Sequence, residues 1–252
     1  MKTALITGAT SGIGREFARQ LAERGYSLIL TGRRVERLEE LKEELQVPVE
    51  IIEADLNKKK ACFALLKKLE NTQIDVFINN AGFGVAGSFL DTDMDKEVSM
   101  IKVNDVAMHI LFKGMLQKMH QAGTGHILNV GSSAGLLPGG PYMAGYYASK
   151  AYVVSLTRGV AVELKEKGSP VKVSVLCPGP VDTEFNDTAD VVFSLKGISP
   201  EFCVAEALKG MDRNKLIIVP SFRMKLATTF SHLAPYPILL KLTGRQQKKK
   251  LG

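Results

Sequence analysis

Short apolar runs alternating with longer amphipathic segments constrain this chain more than any other feature it carries. The runs are TALIT (Thr3 to Thr7), SLILT (Ser27 to Thr31), VEIIEA (Val49 to Ala54), IDVFIN (Ile74 to Asn79), HILNVGS (His126 to Ser132), VKVSVL (Val171 to Leu176) and KLIIVP (Lys215 to Pro220). They are apolar without strict alternation, as strands covered on both faces are. Between them lie helical patterns. Arg15 to Arg24 places Phe17, Ala18, Leu21 and Ala22 on one face, with Gly25 as the stop. Glu36 to Leu45 carries Leu38, Leu41 and Leu45 on one stripe, closed by Val47 and Pro48. The pattern predicts an α/β fold: a doubly wound, seven-stranded parallel sheet with right-handed crossovers and helices on both faces, a three-layer αβα domain spanning residues 1–252.

A chain of 252 residues, 45% hydrophobic and 23% charged, can bury one large core. Its net charge is +7, but basic residues run the length of the chain and there is no Trp, so nucleic-acid binding is not expected. Cys62, Cys177 and Cys203 are far apart and lack metal-ligand spacing, which reads as three thiols in a reducing compartment with no metal site. The N-terminus runs directly into a motif rather than a signal peptide, and no stretch reaches about 18 apolar residues. A cytoplasmic location is the expectation.

The first strand ends in TGATSGIG, with Gly8, Gly12 and Gly14, and a helix follows. Glycines at that junction let the backbone turn tightly and bring a diphosphate to the helix N-terminus, where free N–H groups favour anions. The spacing differs from GxGxxG. It resembles the TGxxxGxG opening of the short-chain dehydrogenase/reductase family, matched from Thr7 to Gly14, which implies a Rossmann-type fold and cofactor contacts at Gly8, Thr10, Ser11, Gly12, Ile13 and Gly14. At the end of the second strand an acid would bond the ribose of NAD, and a base would suit the 2′-phosphate of NADP. The chain reads LTGRR there, so Gly32 replaces the acid and Arg33 follows. NADP(H) is therefore expected over NAD(H), through Arg33, with Arg34 read as a solvated helix start.

Further motifs fall in the family's order. ADLN supplies Asp55 and Leu56, which the resemblance places at the adenine, although an Asp at a strand end is usually a cap. NNAG supplies Asn80, Ala81 and Gly82 beside the cofactor. CPGPVDT supplies Pro178, Gly179, Val181 and Thr183 near the nicotinamide. The resemblance assigns catalysis to Asn104, Ser133, a tyrosine and Lys150, with Lys150 also reaching the ribose. Carbonyl reduction needs hydride on carbon and a proton on oxygen, so an acid must reach that oxygen. A tyrosine of pKa about 10 can serve, and a nearby ammonium lowers its pKa. A serine hydroxyl can hold the oxygen as it gains charge.

Two tyrosines, Tyr146 and Tyr147, share helical reach of Lys150 in GYYASK. The family pattern YxASK selects Tyr146, and its thirteen-residue interval back to the serine selects Ser133 over Ser132. Tyr147 is turned about 100° away and reads as packed or at a subunit contact.

Substrate choice falls to a lid over about residues 184–210, where Phe185, Val191, Val192 and Phe193 face the site, and to the wall Gly135 to Met143. Both favour a hydrophobic, steroid- or lipid-like carbonyl or its alcohol. The extension of about residues 221–252 is similar to tails of relatives acting on lipid-like carbonyls. Flanking Arg and Lys suit a peripheral membrane surface, but Pro235 and Pro237 interrupt a single helix, and a cover for the pocket or a subunit contact is the preferred reading. The resemblance implies a homodimer, in preference to a tetramer, formed through Met94 to Gln121 and Tyr146 to Lys167. Two alternatives stand beside a carbonyl reductase: a 3-oxoacyl-carrier-protein reductase and a non-catalytic NADP-binding protein.

Overall fold

Every apolar run becomes a strand of one sheet. The computed structural model describes residues 1–184, 197–231 and 235–248. Strands β1 (Thr3–Thr7), β2 (Ser27–Gly32), β3 (Val49–Glu53), β4 (Val76–Asn79), β5 (His126–Val130), β6 (Lys172–Leu176) and β7 (Ile217–Ile218) pair in parallel in the order β3-β2-β1-β4-β5-β6-β7. The last run pairs over only two residues. It is the sheet edge, and Pro220 has no N–H to continue a ladder.

Successive side chains on each strand feed opposite layers. Leu5, Ile29, Phe77, Ile127 and Val175 join one core with α3 (Lys59–Lys68), α5 (Met108–Ala122) and α6 (Ala144–Glu166). Ala4, Ile6, Leu28, Leu30, Ile78, Leu128 and Leu176 join the other with α1 (Gly12–Glu23), α2 (Val35–Glu44) and the helix Pro200–Asp212, here α7. Double coverage is why these strands read as continuous apolar runs.

From β1 the chain winds outward to β3, then returns to β4 on the other side of β1. The carboxyl ends of β1 and β4 therefore flank the crevice where such sheets bind ligands. Across it Ile6 pairs with Ile78.

One expectation needs correction, and one helix is less regular than its neighbours. The lid does not reach residue 210: Ser199 caps α7, and Cys203, Val204, Ala207, Leu208 and Met211 are buried in the core. Phe185, Val191, Val192 and Phe193 lie outside the described residues. The helix carrying Asn104 is also not uniform. α4 (Met94–Ile101) runs into a π turn, Lys102–Ala107, before α5 begins. The extension forms two helices, α8 (Phe222–Phe230) and α9 (Tyr236–Lys248), with Pro235 and Pro237 at the start of the second.

Candidate active site

The glycine-rich turn is built by contacts that only glycine permits. Gly8 and Gly12 have φ of +67° and +53°. A Cβ at Gly14 would collide with the Gly8 carbonyl and the Asn80 amide, and one at Gly12 would come within 3.2 Å of the Thr183 Cβ. The Asn80 side chain donates to the Thr7 and Gly8 carbonyls at 2.9 and 3.2 Å, while the Thr7 hydroxyl accepts from the backbone of Asn80 and Ala81. NNAG and the glycine turn thus form one unit joining β4 to β1.

At the head of α1, Ser11 is extended and its side chain caps nothing, and the first turn carries no acid. By contrast Asp93 caps α4 and Ser221 caps α8. Free N–H groups at the switch-point crevice, backed by the helix dipole, fit a dinucleotide diphosphate.

The end of β2 leaves little room for a side chain: a Cβ at Gly32 would lie 2.6 Å from Thr10 Cγ2. Arg33 and Arg34 are both exposed, and Arg34 Nη2 donates to the Thr10 and Ser11 hydroxyls at 3.0 and 3.1 Å. The Glu184 carboxylate sits 2.6 Å from Arg37 and 3.6 Å from Arg34. These guanidiniums hold its pKa below the usual carboxylate range. An anion already occupies the basic corner where the sequence expects a phosphate.

Asp55 accepts from the Asn57 backbone and pairs with Lys58 at 3.4 Å, the local turn role that an Asp at a strand end commonly takes. Leu56 is buried. Val181 bridges to Ile198, and the Pro178 carbonyl accepts from the Ser133 N–H at 2.8 Å.

Tyr146 and Lys150 lie on one face of α6, with Lys150 Nζ 5.8 Å from the Tyr146 ring centroid. The buried Lys150 ammonium donates to the Val130 carbonyl at the end of β5, at 3.0 Å. Asn104, on the π turn, is also buried. Its Nδ2 donates to the Phe83 carbonyl and the Ser149 hydroxyl, its Oδ1 accepts from the Phe83 N–H, and Ser149 donates in turn to the Tyr146 carbonyl. A Cβ at Gly82 would stand 2.9 Å from Asn104 Oδ1 and 3.3 Å from Lys150 Nζ, so glycine brings these groups together. The π turn that aims Asn104 is a common local device at functional sites.

The serine bonded to the Tyr146 hydroxyl is Ser132. Ser132 is extended, and its Oγ also accepts from the Ala134 N–H. Ser133, selected by the thirteen-residue interval, is the adjacent buried serine, whose N–H donates to the Pro178 carbonyl.

Burial sets the protonation states. It pushes the Tyr146 phenol up to about 12, against the Ser132 bond that lowers it. The expected depression of this pKa by Lys150 is not among its causes, and Tyr146 is a neutral acid. Burial also pushes Lys150 down to about 8, opposed by the charge of Asp105, and pushes Asp105 up to about 6. One Asp105 oxygen is buried without a hydrogen-bond partner among the described residues.

Tyr147 is buried, and its hydroxyl accepts from Gln247 of α9 at 2.7 Å. Its ring packs on Gly140. The extension also contacts the wall and the PG turn, with Leu240 at Gly139, Gly244 at Pro141 and Met224 at Gly179.

The profile of the short chain dehydrogenase family matches residues 2–191. A sulfoacetaldehyde reductase of Chromohalobacter salexigens is 41% identical over 186 residues, 71% of this chain and 72% of that protein. A short-chain dehydrogenase from Sphingobium yanoikuyae, solved with NADPH, superposes with a TM-score of 0.83 at 33% identity over 92% of each chain. A bulky-bulky ketone specific alcohol dehydrogenase from Comamonas testosteroni superposes with a TM-score of 0.77 at 31% identity, over 92% of this chain and 93% of that one. With the glycine turn, the NNAG anchor and a tyrosine and lysine on one helix face at the switch point, the chain belongs to the short-chain dehydrogenase family of nicotinamide-dependent oxidoreductases.

Proposed function

We propose that this protein is an NADPH-dependent carbonyl reductase, reversible as an alcohol dehydrogenase, acting on a medium-sized apolar ketone or aldehyde. The observation that carries the reading is the Ser132–Tyr146–Lys150 grouping beside the crevice between β1 and β4. A dinucleotide bound in the crevice would supply the hydride that the carbonyl carbon needs. Tyr146 gives its phenolic proton to the carbonyl oxygen, so C=O becomes CH–OH as the dinucleotide is oxidised. Ser132 donates to the same oxygen as it gains charge. The Lys150 ammonium favours the phenolate left behind, and Asn104 positions α6 through Ser149.

The preference for NADPH rests on Arg34 at Thr10 and Ser11, on neighbouring Arg33 and Arg37, and on the missing side chain at Gly32. An Arg fork suits a phosphate where a carboxylate would repel it. Gly8, Gly12, Ile13, Gly14, Asn80, Ala81, Gly82, Val181 and Thr183 complete the cofactor cradle. For the substrate, Ala86, Ala134, Leu137 and Met143 form an apolar cluster around Tyr146 and Tyr147. That lining suits the bulky ketones named for the Comamonas relative better than a small anionic aldehyde.

Dimerisation is proposed through α4, α5 and α6, where Val98, Ile101, Val106, Tyr152 and Val162 are exposed. The deciding experiment follows NADPH consumption with steroids, aliphatic ketones, aldehydes, sulfoacetaldehyde and acetoacetyl thioesters. Turnover of apolar ketones supports the proposal. Activity confined to the thioester points to the carrier-protein reductase, and no activity at all to a binding protein without turnover.

A further inference from the structure

Helices α8 and α9 are amphipathic in the inverted sense. On α8, Thr228 is buried, while Phe222, Leu226 and Phe230, four residues apart on one stripe, are 73%, 42% and 60% exposed. On α9, Thr243, Gly244 and Gln247 face the domain. Ile238 and Leu242 are each 54% exposed, and Tyr236 is 69% exposed. A helix docked on a domain from water buries its apolar stripe. These two turn Met224 and Leu240 together with small and polar groups onto the domain and still leave a second apolar stripe outside.

Charge singles out the same segment. The chain holds 33 basic and 26 acidic residues, and residues 221–252 contain seven Lys and Arg with no Asp or Glu. Residues 1–220 are therefore balanced, 26 against 26, and the whole net charge of +7 lies in the extension. Basic residues are spread along the chain, but their excess is not. On α9, exposed Lys241, Arg245 and Lys248 share a face with Ile238 and Leu242. Long cationic side chains flanking apolar ones suit a surface that is greasy inside and negative at its face. No described helix is long and apolar enough to cross a membrane.

We propose that α8 and α9 are a peripheral docking surface for an anionic lipid bilayer. Phe222, Leu226, Phe230, Ile238 and Leu242 enter the headgroup boundary, and Arg223, Lys241, Arg245 and Lys248 meet lipid phosphates. A second copy is a poor occupant, because a two-fold contact sets the same patch against itself and opposes +7 to +7. Docking in this sense turns the loops that hold Gly139 and Gly179 toward the bilayer.

The test is co-sedimentation of the full-length protein with phosphatidylcholine vesicles, alone or with about one-third phosphatidylglycerol. The protein is expected to pellet with the anionic vesicles at low ionic strength and to stay in solution with the neutral ones. The pairs Phe222→Ser/Phe230→Ser and Lys241→Ala/Arg245→Ala should each weaken partition by about an order of magnitude, with unchanged circular dichroism. Failure to bind anionic vesicles, or binding indifferent to both pairs, overturns the proposal. So does a wild-type oligomer that the serine pair dissociates, which would mean that a second copy covers the face.

Discussion

The Tyr146 hydroxyl is hydrogen-bonded to the side chain of Ser132, while Ser133 is held to the Pro178 carbonyl through its backbone N–H. We therefore expect Ser132 to share a carbonyl oxygen with the phenol. Ser132→Ala should lower kcat by about 10²–10³-fold, the usual loss for one oxyanion donor. Ser133→Ala should stay within a few-fold of wild type. Steady-state kinetics of the two variants on one ketone checks this directly.

Arg34 and Glu184 make opposite predictions for the cofactor. Arg34→Ala removes the guanidinium at Thr10 and Ser11 and should weaken NADPH binding at least about tenfold, leaving NADH nearly unchanged. Glu184→Gln frees Arg37 and Arg34 from an exposed ion pair and should tighten NADPH binding by about two- to five-fold. Fluorescence titration with both dinucleotides separates the two effects.

The Lys150–Asp105 pair predicts the pH dependence. Lys150 is charged below about 8, so ketone reduction should fall as pH rises through that value. Asp105→Asn removes the charge that favours the ammonium and should move this limb to lower pH. For stability, Asp105 titrates at about 6 when folded against 3.8 as the reference, so the folded chain holds the extra proton between those values. Stability therefore falls as pH rises across that window, a slope that Asp105→Asn should abolish. For Lys150 the unfolded chain binds more protons between about 8 and 10.5, so its contribution rises with pH there. Urea midpoints across pH check both signs.

The fold was readable because strands buried on both faces are mostly apolar, as the central strands β1, β2, β4, β5 and β6 are, while the edge strand β3 exposes Glu50 and Glu53. The glycine turn and NNAG were readable because Gly8, Gly14 and Asn80 meet in contacts that tolerate little substitution. The choice between Ser132 and Ser133 was not legible, because an interval counted back through a loop depends on the loop's length, which sequence spacing does not fix. Arg34 is exposed at the start of α2, as a solvated helix start would be, but its bonds to Thr10 and Ser11 leave no trace in sequence spacing. The π turn at Asn104 leaves no periodicity signal over six residues. The inverted faces of α8 and α9 appear only once the domain shows which side it covers.

Tyr147→Phe should remain active. It loses the bond from Gln247 and leaves that amide buried, so the expected cost is about 1–3 kcal/mol of stability, read as a lower denaturation midpoint.

The most direct test of the account is NADPH oxidation with an apolar ketone by Tyr146→Phe, measured beside NADPH binding and beside Tyr147→Phe. The account predicts that Tyr146→Phe binds NADPH as wild type does and does not turn over, while Tyr147→Phe reduces the ketone. Turnover by Tyr146→Phe, with Tyr147→Phe inactive but folded, would contradict it.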